Sequence, residues 1–232
     1  MEIVRLHPLA QSELAGQAGK VLDGLFAGGF KTRPYDRLGS DLIQRVAAGG
    51  YPAALARGTP RRRAAWYRDY IEMLVQCDVR DLARIGALDT LPRLLTLAAG
   101  QTARLLNVSD LAGPFQLSRP TIRDYVTLLE RVFLLEPLSP WHSNPLSRLI
   151  KTPKLHLGDS GVACALLGFD ADALARDRAT FGQLLETFVY QELRSQASWH
   201  DRSMPFITSA TKTASRWTSC WSVARESWRG LK

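Results

Sequence analysis

Apolar residues recur every three to four positions through most of this chain, the spacing of α-helices with one buried face. Trp66, Tyr70, Leu74 and Cys77 share such a face in a helix led in by Arg61-Arg62-Arg63, with Arg68, Asp69, Glu72 and Asp78 falling mostly elsewhere. Leu91, Leu94, Leu95 and Ala98 make a second stripe over Thr90–Ala99, and Gln101–Asn107 reads as a further short helix. Ile122, Val126, Leu129 and Phe133 form the clearest stripe, broadened by Tyr125 and Leu128. Ser118 is placed to cap that helix, and Pro120 fits its first turn, where no backbone donor is needed. Val162–Leu167, bounded by Asp159-Ser160-Gly161 and Gly168, is another helix; Leu184, Leu185, Phe188, Val189 and Leu193, after Gly182, line the last one.

Strand signals are fewer. Leu134–Leu138 and Lys154–Leu157 read as two strands separated by the turn residues Asn144-Pro145. A helix, a short turn, a capped helix and a two-stranded ribbon predict a winged helix-turn-helix over 101–158. Ile3–Leu9 reads as an opening strand followed by a short helix around Lys20–Phe26, and Gly49-Gly50-Tyr51-Pro52 as a turn.

After Pro205-Phe206 the periodicity fails. Residues 207–232 hold Trp217, Trp221 and Trp228, half of the tryptophans, in a stretch dense in Ser and Thr. An exposed tail so rich in large apolar surface is unusual. GC-rich codons for Ile207 to Gly230, read from the third base of the first codon, can encode a run Gly-Val-Glu-Val-Asp-Leu-Val-Leu-Glu, an alternating strand continuing from Phe206. The expectation is a frameshifted, aberrant tail.

Composition changes the picture little. With 46% hydrophobic and 22% charged residues, the 232-residue chain has the make-up of a globular protein with a real core. It has no apolar run long enough to span a bilayer and no secretory pattern at Met1–Leu6, so the expected location is the cytoplasm and no membrane partner is expected. Cys77, Cys164 and Cys220 form no metal pattern with His7, His142, His156 and His200, and are expected to be reduced and mostly buried. The net charge of +8 suits nucleic acid or an acidic partner, but residues 207–232 contribute half of it.

Ordered motifs along residues 3–206 resemble the domain of unknown function that follows the ATPase core in a large group of prokaryotic AAA+ proteins. They are Arg5-Leu6-His7-Pro8-Leu9 with Glu13-Leu14, Gly49-Gly50-Tyr51-Pro52, and Tyr67-Arg68-Asp69-Tyr70-Ile71 with Asp78-Val79-Arg80-Asp81-Leu82. Ser118–Thr121 with Tyr125 and Leu129-Glu130 follow, then Pro153–Gly161 and Gly182–Val189. The resemblance implies a phosphate-binding loop upstream of this chain. Within it, Gly16-Gln17-Ala18-Gly19-Lys20-Val21 is a decoy: Leu14 stands where the first glycine belongs, and Val21 brings no hydroxyl for magnesium. The resemblance further implies a restriction-nuclease-like end, of which Glu186 matches the helix acid while the Asp and Glu-x-Lys of the following strands are absent.

The predicted fold is α+β and mostly helical, with a winged helix-turn-helix and an incomplete nuclease-like remnant. The predicted divisions are 1–48, a remnant joining an absent AAA+ core; 49–100, helical and lid-like; 101–158, the winged helix; 159–206, nuclease-like; and 207–232, the aberrant tail. No catalytic, cofactor or metal residue is assigned. Arg119, Thr121 and Arg123 lie where a recognition helix begins, and Lys151 and Lys154 flank the wing, so these five are the candidate contacts to double-stranded DNA. Asp124 and Glu130 on the same helix oppose that reading. The leading expectation is a non-catalytic interaction or regulatory module of an AAA+ protein, docking on an intact homologue, with Arg61–Arg63 able to act in trans on its bound phosphate. A DNA-binding winged helix and an inactive, self-associating gene product are the alternatives.

Overall fold

In a computed structural model, residues 6–17, 19–27, 38–79, 89–141, 152–200, 206–210, 217–223 and 227–230 are described. The fold of these residues is α+β, mostly helical with two small three-stranded antiparallel sheets. Five helices lead in: α1 (Gln11–Leu14), α2 (Val21–Ala27), α3 (Leu38–Ala48), α4 (Pro52–Leu55) and α5 (Pro60–Leu74), the last continued by a π-helical turn over Val75–Val79. The next run is α6 (Thr90–Gly100), β1 (Arg104–Leu105), α7 (Val108–Ala112), α8 (Arg119–Arg131), β2 (Leu135–Leu138) and β3 (Lys154–Leu157). Then come α9 (Ser160–Leu167), α10 (Ala171–Arg176), α11 (Arg178–Ser198) and a meander of β4 (Phe206–Ala210), β5 (Trp217–Val223) and β6 (Ser227–Gly230).

Side-chain caps set most of these helix starts. Thr59 accepts the Arg62 amide at α5, Asn107 the Ser109 amide at α7, and Ser118 the Thr121 amide at α8. Asp170 caps α10 through Ala173, and Asp177 holds Ala179, Thr180 and the Thr180 hydroxyl at the start of α11. The first sheet is ordered β1-β3-β2 and antiparallel, with Leu135 opposite Leu157 and Arg104 opposite Leu155.

One core runs beneath these elements. It takes Tyr67, Ile71 and Leu74 from α5, Leu91, Leu94 and Leu95 from α6, Ile122, Val126 and Leu129 from α8, and Leu155 and Leu157 from β3. Each fully buried leucine contributes about 2 kcal/mol relative to exposure. A smaller cluster joins Leu22 of α2 to Leu193 of α11.

Several expectations need correction. Residues 6–10 carry no regular structure, so the opening strand is absent there; residues 1–5 lie outside the described ones. Gln101–Asn107 is a turn followed by β1 rather than a helix, because Ala103 takes a positive φ of 61° and its amide bonds Leu155 O in β3. Helix α8 stops at Arg131, and Phe133, also at φ 61°, is turned out of the expected stripe and half exposed. The buried face of α5 centres on Tyr67 and Ile71; Trp66 and Tyr70 are only half-buried, stacked on each other with centroids 5.1 Å apart, and Cys77 is exposed. Helix α11 starts four residues before Gly182, and Val189 faces outward. The tail, whose pattern promised neither strand nor helix, forms β5 and β6, with Phe206 opposite Trp221. Asn144-Pro145 lies outside the described residues.

Candidate functional site

Three groupings of polar side chains stand out, and the first is a structural junction. Asp159 is fully buried after β3, where one carboxylate oxygen caps α9 through the Val162 amide at 3.0 Å. The other accepts the Gly50 amide at 2.7 Å. Tyr67 lies alongside and donates its hydroxyl to Ala48 O at 2.8 Å, which fastens α5 to the end of α3. Burial against this carboxylate drives the Tyr67 hydroxyl pKa far up, and burial also raises that of Asp159, against its backbone donors. Gly49 has φ 72°, and a methyl group on it would overlap the Asp159 carboxylate and the Tyr67 hydroxyl. The turn at Gly49–Pro52, the Tyr67–Ile71 stretch and the Gly158–Gly161 stretch are therefore one assembly.

Next to it, α11 lays a polar row on β3. Lys154, 1% exposed, forms an ion pair with Glu186. His156 is fully buried, meets the Thr187 hydroxyl through Nδ1 at 3.0 Å and stacks on Tyr190. Thr187 in turn meets Thr102, whose hydroxyl accepts the Leu157 amide. Gln191 donates to Leu157 O and accepts the Ser160 amide, while Arg194 pairs with Glu136 of β2. Desolvation, aided by Lys154, pushes the His156 pKa down to about 3, so the ring is neutral. Glu192 receives the Gln11 amide on both oxygens, and burial raises it to about 7.

The third grouping is the outer face of α8. Arg119 and Arg123 are exposed one turn apart, with Thr127 and Arg131 continuing at the same spacing. Thr121 is half-buried, its hydroxyl 2.8 Å from Ser118 Oγ. Asp124 is the exposed acid among them, while Glu130 is half-buried and its pKa is raised by desolvation.

The candidate DNA contacts are thus divided. Arg119, Thr121 and Arg123 lie together at the start of α8. Lys154 must be withdrawn, because its ammonium is buried in the ion pair with Glu186 and presents no charge to a phosphate. Lys151 lies outside the described residues. Glu186, the expected nuclease-like acid, is engaged by that same lysine. Among the described residues no three His, Cys, Asp or Glu side chains cluster to hold a metal ion, and no helix is long and apolar enough to cross a membrane. Arg131 escaped the reading of the sequence, although its spacing of eight from Arg123 was the available signal.

The junction and the first sheet lie inside the stretch matched by one family model, residues 39–173. The chain belongs to the DUF8612 family. That family is described as a domain of unknown function. Its match takes in Gly50, Tyr67, Lys154, His156 and Asp159 and ends before α11, so the partners Glu186, Thr187 and Gln191 are supplied from outside it. Two uncharacterized mycobacterial proteins, Mb2031c of Mycobacterium bovis and Rv2008c of Mycobacterium tuberculosis, are each 30% identical to this DUF8612 chain over 190 residues. The match covers 80% of this chain and 41% of each relative, so the chain spans about half the length of the curated relatives it matches. No solved structure matches it.

Proposed function

We propose that this DUF8612 chain is a non-catalytic interaction module of an AAA+ ATPase-family protein, and that its contact surface is a winged helix directed at double-stranded DNA. The observation that carries the reading is the outer face of α8, where Arg119, Arg123 and Arg131 are exposed against Asp124 alone. Support for the winged-helix reading comes from the order α6-β1-α7-α8-β2-β3 and the sheet order β1-β3-β2, a sequence of elements in keeping with a helix-turn-helix beside a small antiparallel sheet. Cations on such a helix displace counterions from the phosphate backbone, so binding driven by them weakens linearly in log affinity against log salt. The test is fluorescence anisotropy of a labelled duplex titrated with the chain at several salt concentrations. A negative salt slope that shrinks when Arg119 and Arg123 are both replaced by Ala is expected; binding unchanged by salt, or no binding at low salt, overturns the DNA reading.

A second reading keeps the module and changes its partner to an intact AAA+ homologue. What favours it is the start of α5, where Arg61 and Arg62 are exposed and the half-buried Trp66 follows one turn on. Mixing this chain with such a homologue should then change the rate of ATP hydrolysis, and an unaltered rate counts against it.

A further inference from the structure

Helix α5 opens with Pro60 and carries two neighbouring rows, Arg61, Ala64 and Arg68 at i, i+3 and i+7 and Arg63 and Tyr67 at i and i+4. Both rows line a cavity of about 570 Å³ whose other walls come from Gln44 and Ala47 of α3, from α9 and from the segment around Phe169. Side chains on the α9 wall are small: Gly161, Cys164 and Ala165 leave depth where larger residues would fill it. The volume falls within the range of about 300–1,000 Å³ of small-molecule sites.

The electrostatics of this cavity are unbalanced. Three guanidiniums line it, and among the described residues none of them has a carboxylate within ion-pair distance. The Nε of Arg63 is buried and has no hydrogen-bond partner. Like charges held together cost free energy, and one bound anion in the cavity relieves that cost. The partial positive charge at the N-terminus of the 15-residue α5 adds to the same field. The two acids on the rim, Asp170 and Asp172, offset part of it and leave one positive charge in excess; the Asp170 carboxylate is turned to the Ala173 amide as the cap of α10. Phe169 and the apolar floor of Ala47, Ala64 and Ala165 offer a surface for the uncharged body of a ligand.

We infer that the cavity between α3, α5 and α9 binds a phosphate monoester of mononucleotide size, with Arg61, Arg63 and Arg68 on the phosphate and the Phe169 side of the cavity against its body. The site is separate from the face of α8 and does not depend on DNA binding there.

Isothermal titration of the full chain with adenosine monophosphate, inorganic phosphate and adenosine tests it. Adenosine monophosphate is expected to bind saturably, phosphate more weakly, and adenosine not at all. Arg63→Gln and Arg68→Gln are each expected to weaken adenosine monophosphate by about tenfold, the loss of one charge-assisted contact. Arg68 is exposed, so its variant should melt like the parent and keep the test clean should the Arg63 variant fold poorly. Duplex DNA affinity should be unchanged by Arg68→Gln. No heat with either phosphate compound, adenosine binding as well as its monophosphate, or affinity indifferent to Arg68→Gln would each overturn the assignment; phosphate binding as tightly as the monoester would overturn its mononucleotide part.

Discussion

Asp159 Oδ2 accepts the backbone amide of Gly50 at 2.7 Å, joining two points 109 residues apart in the chain. Its other oxygen caps α9 through Val162, so one buried carboxylate fixes both the turn after α3 and the start of the helix after β3. Replacing Asp159 by Asn keeps the volume but leaves one acceptor oxygen for two amides. One buried N–H then loses its partner, which costs about 1–3 kcal/mol. Urea unfolding of Asp159→Asn should show that loss as a lower midpoint with an unchanged slope. A midpoint equal to the parent's would mean that the junction is held by packing alone.

Lys154 and Glu186 invite a double-mutant cycle. The lysine is almost wholly buried and the glutamate only partly, so removing Glu186 strips an acceptor from a charge that water cannot reach. Glu186→Ala should destabilise the chain on the order of 3 kcal/mol. Replacing both together, as Lys154→Met with Glu186→Leu, should recover most of that, because no buried charge is left behind. Additive losses in the two single variants and the double would show that the pair is not coupled. The recovery bears on the nuclease-like expectation too: an acid whose role is to neutralise Lys154 can be lost in company with it.

His156 and Glu192 titrate in opposite senses. His156, pushed down to about 3, stays neutral in the folded state while the unfolded ring takes a proton below its ordinary value of 6.5. Its contribution is therefore present above pH 6.5 and lost as the pH falls toward 3. Glu192, raised from 4.5 to about 7 by burial and the nearby Glu13 and Asp159 against the Gln11 amide and Arg45, keeps its proton longer when folded. Its contribution is present below pH 4.5 and lost as the pH rises toward 7. Each slope is about 1.4 kcal/mol per pH unit. Between pH 4.5 and 6.5 the two nearly cancel, so the melting temperature should be flat there as far as this pair sets it. Glu192→Gln should uncover a loss of stability on acidification across that window. A Glu192→Gln melting curve with the parent's pH dependence would show that the carboxyl titrates as in water.

The core stripes were legible because burial on α6 and α8 follows from spacing alone: Leu91, Leu94, Leu95, Ile122, Val126 and Leu129 all lie inside. So were the caps at Ser118 and the strands around Leu135–Leu138 and Lys154–Leu157, where short-range chemistry decides. What escaped depends on contacts distant in sequence. The segment 101–107 has a helical composition, but pairing of Arg104 with Leu155 holds it as β1. Lys154 looks solvent-directed as a lone cation, and only the packing of α11 on β3 places Glu186 against it. The burial of α5 on Tyr67 rather than Trp66 is set by the Asp159 junction, to which no local pattern points.

The face of α8 sets the last prediction. Arg119, Arg123 and Arg131 are exposed, and each that meets a phosphate releases about one counterion on binding duplex DNA. Changing any one of them to Ala should weaken binding to all sequences alike and lower the slope of log affinity against log salt by about 1. Asp124 stands exposed beside Arg123 on the same helix, so its charge would repel a phosphate backbone that these arginines meet. Asp124→Asn should therefore tighten binding at low salt, and the gain should fade as salt rises, because screening removes the repulsion that the substitution relieves. The opposite signs of the Arg and Asp effects separate a face that meets a polyanion from one that docks on an uncharged or basic partner. A partner protein without an acidic face would tolerate Asp124→Asn or lose affinity with it, whereas a phosphate backbone can only gain. Anisotropy titrations of the four single variants on one duplex, at three salt concentrations, decide between them.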